Sequence, residues 1–95
     1  MIPSHRIAAH PGEILLWDFL QEWGMSQAEF ARHAGIPLQR VNELVKGKRG
    51  VTPETAWILS QAFATTPEFW MNLQSLHDLS KHRPKRKVSP VQRAA

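Results

Sequence analysis

The sequence contains no cysteine, which excludes disulfide bonds, thiol nucleophiles and cysteine-ligated zinc sites. No apolar run approaches the roughly 20 residues that a membrane-spanning helix needs. The N-terminal stretch lacks the charged start, apolar run and small-residue cleavage site of a signal peptide, so we expect a cytoplasmic protein with no membrane partner. No stretch alternates apolar and polar residues over five or more positions, and the sequence therefore predicts no β-strand.

Patterns typical of catalysis or metal binding are also missing. The five histidines include no pair at i, i+4 spacing on one helix with a carboxylate as third ligand. No Ser–His–Asp set and no pair of facing carboxylates is visible. We therefore expect a protein that is not an enzyme and that has no metal site and no cofactor.

The formal net charge of +4 is unevenly distributed along the chain. Residues 1–80 carry six basic and eight acidic side chains, whereas residues 81–95 carry six basic side chains and no acidic one. Within the first part, residues 26–51 hold five bases and only two acids. A basic patch on an otherwise acidic body is the footprint of a phosphate-binding surface, so the charge pattern favours a nucleic acid as partner.

The 95 residues, 42% of them hydrophobic, are enough for one compact domain. Helix start and stop signals divide residues 11–80 into five helices, each opened by a proline or a capping side chain. Ser26 and Glu29 have the spacing of a capping box and predict a second helix at 27–33. We expect an N-terminal arm at residues 1–10, an all-α domain at 11–80, and a flexible basic tail at 81–95.

The second and third helices have the spacing of a helix-turn-helix. A third helix is predicted at 37–46, after a tight turn at Gly35. Ala31 is small where the two helices must cross, while Ile36 and Val41 are apolar where they must pack on the core. This arrangement predicts that the helix at 37–46 is a recognition helix that enters the DNA major groove.

Three separated motifs, spread over residues 8–80, resemble the HigA (VapI-like) antitoxin family of phage-repressor-type (XRE/Cro-CI) helix-turn-helix proteins. The motifs are His10-Pro11-Gly12-Glu13-Ile14-Leu15, Ser26-Gln27-x-x-Phe30-Ala31-x-x-x-Gly35-Ile36 continuing into Val41–Thr52, and Thr66–Gln74. The resemblance implies a five-helix, lambda-repressor-like domain that binds operator DNA as a homodimer and represses its own operon. It also implies binding to a co-encoded HigB-like toxin, an mRNA endonuclease. Pro37 departs from the pattern, because the wider class often has Ser or Thr at this cap.

The exposed positions of the recognition helix are the candidate base contacts. Gln39 can bond adenine in a bidentate manner, and Arg40 can bond guanine or a phosphate. These two are the first choices among the candidates, which are Leu38, Gln39, Arg40, Asn42 and Glu43. Candidate phosphate contacts come from the start of the second helix and from the loop after the recognition helix. They are Gln27, Lys46, Lys48 and Arg49.

The last helix is expected to form a dimer interface through Trp70, Leu73 and Leu76.

Three hypotheses for function follow from the sequence. The first is an antitoxin that binds both DNA and a toxin, and the second is a stand-alone repressor with no toxin partner. The third is a small RNA-cleaving toxin, which predicts a basic, strand-rich body and so fits this helical sequence poorly. The role of the basic tail, whether it binds DNA non-specifically or is only a solvated end, stays open.

Overall fold

The computed structural model describes residues 1–93, and these residues form five helices and no strand. The first helix, α1, begins with an α-helical turn at Pro11–Ile14 and continues directly as a π-helical segment at Leu15–Gln21. It is followed by α2 (Gln27–Ala34), α3 (Leu38–Val45), α4 (Pro53–Phe63) and α5 (Pro67–Lys81). The prediction of a five-helix, all-α domain is confirmed, and the helix bounds differ by one or two residues. The π-helical geometry of α1 was not predicted.

Side chains that satisfy free backbone amides define where the helices begin. The Ser26 hydroxyl accepts from the Glu29 amide at 3.0 Å, and the Glu29 carboxylate accepts from the Ser26 amide at 3.1 Å. These two bonds form the predicted capping box, and they lower the pKa of Glu29. The hydroxyls of Thr52 and Thr66 cap α4 and α5 by accepting from the amides of Thr55 and Phe69, and each threonine precedes a proline in the first turn.

Two helices end on residues with left-handed backbone geometry. Gly35 closes α2 at φ +70°, which a glycine adopts without steric cost. Ala64 closes α4 at φ +55° and is the one non-glycine residue in the described chain with positive φ. Its Cβ makes this conformation unfavourable, so the end of α4 stores a small strain.

The five helices surround a core in which Trp70 is fully buried. The indole nitrogen of Trp70 donates to the hydroxyl of Thr65 at 2.7 Å, so its only polar atom is satisfied inside the fold. Phe19 and Phe69 pack against the indole, each with its ring centroid 5.1 Å away. Phe19 also contacts Phe63 and Phe69, with ring centroids 5.0 and 6.3 Å apart. The remaining buried apolar residues are Leu15, Leu20, Phe30, Ala31, Val41, Leu44, Val51, Ala56 and Leu59.

Two contacts hold α3 at a fixed position. Gly12, in the first turn of α1, lies so close to α3 that a Cβ at this position would overlap the carbonyl oxygen of Leu44. The side-chain oxygen of Gln74, on α5, accepts from the amide of Val51 at 2.7 Å and thereby fixes the end of the loop between α3 and α4. Both α1 and α5 therefore determine where the recognition helix lies.

The chain on either side of the helices differs in how it is held. Ala8 lies against α5, because its amide donates to the Ser80 hydroxyl at 2.8 Å and its carbonyl accepts from His77 Nδ1 at 2.8 Å. Residues 83–93 contain no helix or strand and are exposed. None of the helices in residues 1–93 is long and apolar enough to cross a bilayer.

Candidate nucleic-acid interface

The two sides of α3 have opposite characters. Val41 and Leu44 are buried, at 0% and 2% exposure, and fix one side of α3 to the core. Leu38 and Gln39 lie at the start of the helix and are exposed, with Leu38 at 44% exposure. Asn42 is half-buried, one turn further on. The structure therefore presents Leu38, Gln39 and Asn42 as a short surface that combines an apolar side chain with two amides, which can donate and accept hydrogen bonds.

Arg40 belongs to a different environment. Its Nη2 donates to the Glu54 carboxylate and to the Thr55 hydroxyl, at 3.0 Å each, and its side chain is only 24% exposed. The Thr55 hydroxyl also lies 3.2 Å from that of Thr52, the residue that caps α4. The guanidinium thus joins the first turn of α3 to the first turn of α4. This geometry argues against our sequence-based expectation that Arg40 is free to contact a base.

Glu43 and Arg49 form a second ion pair. Arg49 donates from Nε and Nη2 to one Glu43 oxygen, at 3.2 and 3.0 Å. The carboxylate is thereby neutralised and the loop after α3 is held against the helix. Glu43 is half-buried, so a base contact by this candidate residue would require the ion pair to open.

The lysine side chains of the interface that form no ion pair within residues 1–93 lie just after α3. Lys46 and Lys48 are exposed and form no ion pair within residues 1–93. Gln27 is half-buried at the first position of α2, where free backbone amides also point outward. Together with Leu38 and Gln39, these residues come from the start of α2, the start of α3 and the loop that follows α3. Such an arrangement can place cations and amides along a phosphate backbone while α3 faces the bases.

Burial corrects one part of the predicted dimer interface. Trp70 is 0% exposed, so it packs inside the protomer and has no surface to offer a second copy. The sequence pattern was misleading because a large aromatic on an amphipathic helix fits either position. Leu73 and Leu76 are half-buried, and Leu79, one turn further, is 54% exposed. The exposed leucine of α5 therefore lies in its C-terminal half.

The ends of α1, α3 and α5 meet at a cavity of about 320 Å³. Its lining residues are His10, Glu13, Val45, Lys46, Gly47, His77 and Lys81. His10 Nδ1 accepts from the Gly12 amide at 2.9 Å, and its ring contacts the edge of His77. Burial lowers the pKa of His10, and nearby His77 lowers it further. His10 therefore stays neutral near pH 7, as a capping acceptor must.

Within residues 1–93, no cluster of three or more histidine or carboxylate side chains could hold a metal.

Comparison with known proteins gives one family for this arrangement. Residues 19–70 match the family model described as helix-turn-helix. The chain is 38% identical over 72 residues to virulence-associated protein I of Dichelobacter nodosus. The aligned segment covers 76% of this chain and 67% of that protein. It is 40% identical to the solved structure of the Pseudomonas aeruginosa antitoxin HigA with the higBA promoter. That superposition has a TM-score of 0.76 and covers 78% of this chain and 80% of the other. The chain belongs to the HigA family of helix-turn-helix proteins.

A second solved structure extends the likeness along the chain. The Pseudomonas aeruginosa protein PA4674, solved with 18 bp of its operator DNA, has a TM-score of 0.84 at 34% identity, covering 93% of this chain and all of the other. Against three curated relatives, the aligned residues span only 61% to 67% of the relatives' own length. The HigA-type fold predicted from the sequence motifs is confirmed.

Sequence reasoning missed the contacts between residues that are far apart in the chain. Arg40 and Glu54 are 14 positions apart, and Gln74 meets Val51 across 23 positions. One local signal was present, because Thr52-Pro53-Glu54, a capping residue followed by proline and an acidic residue, is typical of a helix start. That pattern places an acidic residue in the first turn of α4 but does not show that the basic residue of α3 reaches it.

Proposed function

We propose that this chain is a DNA-binding antitoxin that represses its own operon and neutralises a co-encoded, mRNA-cleaving toxin. One observation carries the DNA-binding half of the proposal. The exposed start of α3, with Leu38 and Gln39, lies between the capped start of α2 and a loop with two unpaired lysines, Lys46 and Lys48. This combination of a base-facing helix and flanking phosphate contacts is what a helix-turn-helix needs.

The DNA mechanism follows from the order of these parts. Two copies of α3, related by a two-fold axis, would enter successive major grooves about 34 Å apart. Gln39 and Asn42 would bond base edges, and Leu38 would contact a thymine methyl group. Lys46, Lys48 and the amides beside Gln27 would bind phosphates and carry most of the salt-dependent affinity. The structures of HigA with its promoter and of PA4674 with its operator support this mode of binding.

Arg40 and Arg49 have supporting roles in this mechanism. Arg40 sets the angle between α3 and α4 through Glu54 and Thr55, so it positions the recognition helix. Arg49 is held by Glu43 and can meet a phosphate with those nitrogens only when that pair opens. Base specificity then depends on the uncharged side chains of α3, and phosphate affinity depends on the two lysines.

The homodimer is proposed to form through the C-terminal half of α5. Leu79 is exposed there, and Leu73 and Leu76 retain part of their surface. Three leucines at positions 73, 76 and 79 follow the helical repeat and form one apolar stripe.

The toxin-binding half of the proposal is supported by the acidic and aromatic side chains of α1. Residues 11–24 carry Glu13, Asp18 and Glu22 and no base. On the same helix Trp17 is 60% exposed, and Trp23, just after the helix, is 55% exposed. Exposed aromatic side chains flanked by carboxylates are typical of a surface for a basic protein partner. A small basic nuclease has this chemistry, so α1 is the surface we propose for the toxin.

The alternative is a stand-alone helix-turn-helix repressor without a toxin. The exposed tryptophans of α1 favour the two-partner protein, because a repressor needs no such surface. For both functions we propose a chain that acts by binding rather than by catalysis, and that does so in the cytoplasm.

A gel-shift titration against the DNA upstream of its own gene tests the proposal, with scrambled DNA as competitor at near-physiological salt. We expect a shift that resists the competitor. A chain that shows no preference for its promoter would contradict the repressor function. Co-expression with the neighbouring gene product tests the toxin half separately, since growth rescue requires the protein partner and not the operator.

A further inference from the structure

The basic tail has a charge pattern that the proposed function does not use. Between Lys81 and Arg93 it carries six basic side chains and no acidic one. Every residue from Lys81 to Arg93 is exposed, and beyond His82 the backbone has no regular structure. None of the basic side chains of the tail forms an ion pair within residues 1–93, although the rest of the chain carries eight acidic side chains.

The tail starts beside the phosphate-binding loop. Lys81, the last residue of α5, lines the same cavity as Lys46 and Gly47, at the C-terminal end of α3. Arg83 donates to the Pro3 carbonyl at 3.0 Å and so ties the start of the tail to the N-terminal arm. Lys46 and Lys81 therefore lie at one cavity, which Glu13 also lines, and the basic tail continues the chain directly from Lys81.

We propose that the basic tail is a second DNA-backbone-binding segment, which extends the contacts of the loop at residues 46–49 to phosphates beyond α3. This inference rests on the proposed function, because it assumes that α3 faces DNA. An extended chain spans about 3.3 Å per residue, so the five residues from Arg83 to Lys87 reach about 16 Å from the domain. That length is comparable with several phosphate spacings along one strand.

The physical basis of the binding is counterion release. Each basic side chain that neutralises a phosphate frees condensed cations, and a segment without fixed structure can follow the backbone without matching a sequence. A contact to the acidic side of the same chain is the competing arrangement. The structure argues against it, because Arg83 donates to a backbone carbonyl and the other tail bases have no carboxylate partner within residues 1–93.

The test compares the full chain with a full-length variant that carries Lys85→Gln, Arg86→Gln and Lys87→Gln. Both are titrated against the promoter duplex and against a random duplex of equal length, between 50 and 200 mM salt. The slope of log affinity against log salt should decrease in magnitude by about 0.9 for each basic side chain that is removed, or by about 2.7 per protomer. A variant with Lys85→Arg and Lys87→Arg keeps the charge and should keep the slope.

The preference for promoter over random DNA should stay unchanged, since phosphate contacts carry no sequence information. An unchanged slope in the glutamine variant would overturn the proposal. So would tighter binding by the glutamine variant, which would mean that the tail hinders DNA binding instead of contributing to it. If the unaltered chain shows no promoter preference, the proposed function fails, while a reduced slope on random DNA would still support the tail as a DNA-binding segment.

Discussion

Arg40 and Glu54 lie 3.0 Å apart and join the first turn of the recognition helix to the first turn of α4. Glu54 is largely exposed, at 73%, so the ion pair itself contributes little to stability. Its importance is geometric, because the same guanidinium also donates to the buried Thr55. A charged side chain that the sequence analysis assigns to DNA contact thus links α3 to α4.

The Glu54→Gln variant distinguishes the two roles of Arg40. If Arg40 positions α3, the variant should lose about 0.5 kcal/mol of stability and bind the promoter no better than the unaltered chain. If Arg40 reads a base, its release from Glu54 should increase promoter affinity. Urea denaturation and a gel-shift titration measure the two effects. Thr55→Val serves as a second probe, since it removes the other acceptor and leaves every charge in place.

Lys48→Ala should weaken binding to promoter and random DNA alike, because an exposed lysine contacts phosphate and not bases. The slope of log affinity against log salt should decrease by about 0.9. Arg32→Ala is the matched control, since it removes one positive charge from α2 where no phosphate contact is predicted. A loss confined to the promoter would show that Lys48 reads sequence instead.

Gly12→Ala should destabilise the fold, although alanine is the better helix former. The added methyl group meets the Leu44 carbonyl, and backbone atoms cannot move as a flexible side chain does. Overpacking of this kind costs about 1–3 kcal/mol. Glu13→Ala, at the next and exposed position, should change the stability by less than about 0.5 kcal/mol. Thermal unfolding measures both, and equal melting temperatures for the two variants would contradict the close approach of α1 and α3.

Ala64→Gly should stabilise the chain by about 0.5–1 kcal/mol. The left-handed backbone at φ +55° costs about 1–2 kcal/mol for a residue with a Cβ, and glycine avoids this cost. Part of the gain is offset because glycine has the larger conformational entropy in the unfolded chain. The same substitution inside α4, Ala62→Gly, should destabilise by about 1 kcal/mol. Opposite signs in denaturant unfolding would support the strain, and a loss of stability in both variants would contradict it.

The sequence predicted what depends on neighbours within a few residues. Ser26 and Glu29 are three positions apart, so their reciprocal bonds follow from helix geometry and were predictable. Trp70 was assigned to the wrong surface, because the helical repeat shows which residues share a face but not whether a protomer or its copy covers that face. The Arg40–Glu54 pair depends on the crossing of two helices, which no local pattern encodes.

His10 makes the stability of the fold depend on pH. Its pKa in the folded chain lies below the ordinary value of about 6.5, mainly because the ring is buried and also because of His77. Glu13 and Asp78 act in the opposite direction, and Lys81 lowers the pKa further. Lys46 also faces the cavity that His10 lines. The folded chain thus binds fewer protons at His10 than the unfolded chain does.

Stability from His10 should accordingly be complete above about pH 6.5 and be lost as the pH falls from there towards the folded-state pKa. Protonation would also remove the acceptor that caps α1, because a protonated Nδ1 cannot accept from the Gly12 amide. His10→Asn retains a capping oxygen and removes the titration, so its unfolding free energy should vary less between pH 5 and pH 7 than that of the unaltered chain. His10→Ala should lose about 1 kcal/mol even at pH 7, because the cap is gone. Parallel pH profiles for the unaltered chain and His10→Asn, measured by urea denaturation, would show that His10 does not titrate on unfolding.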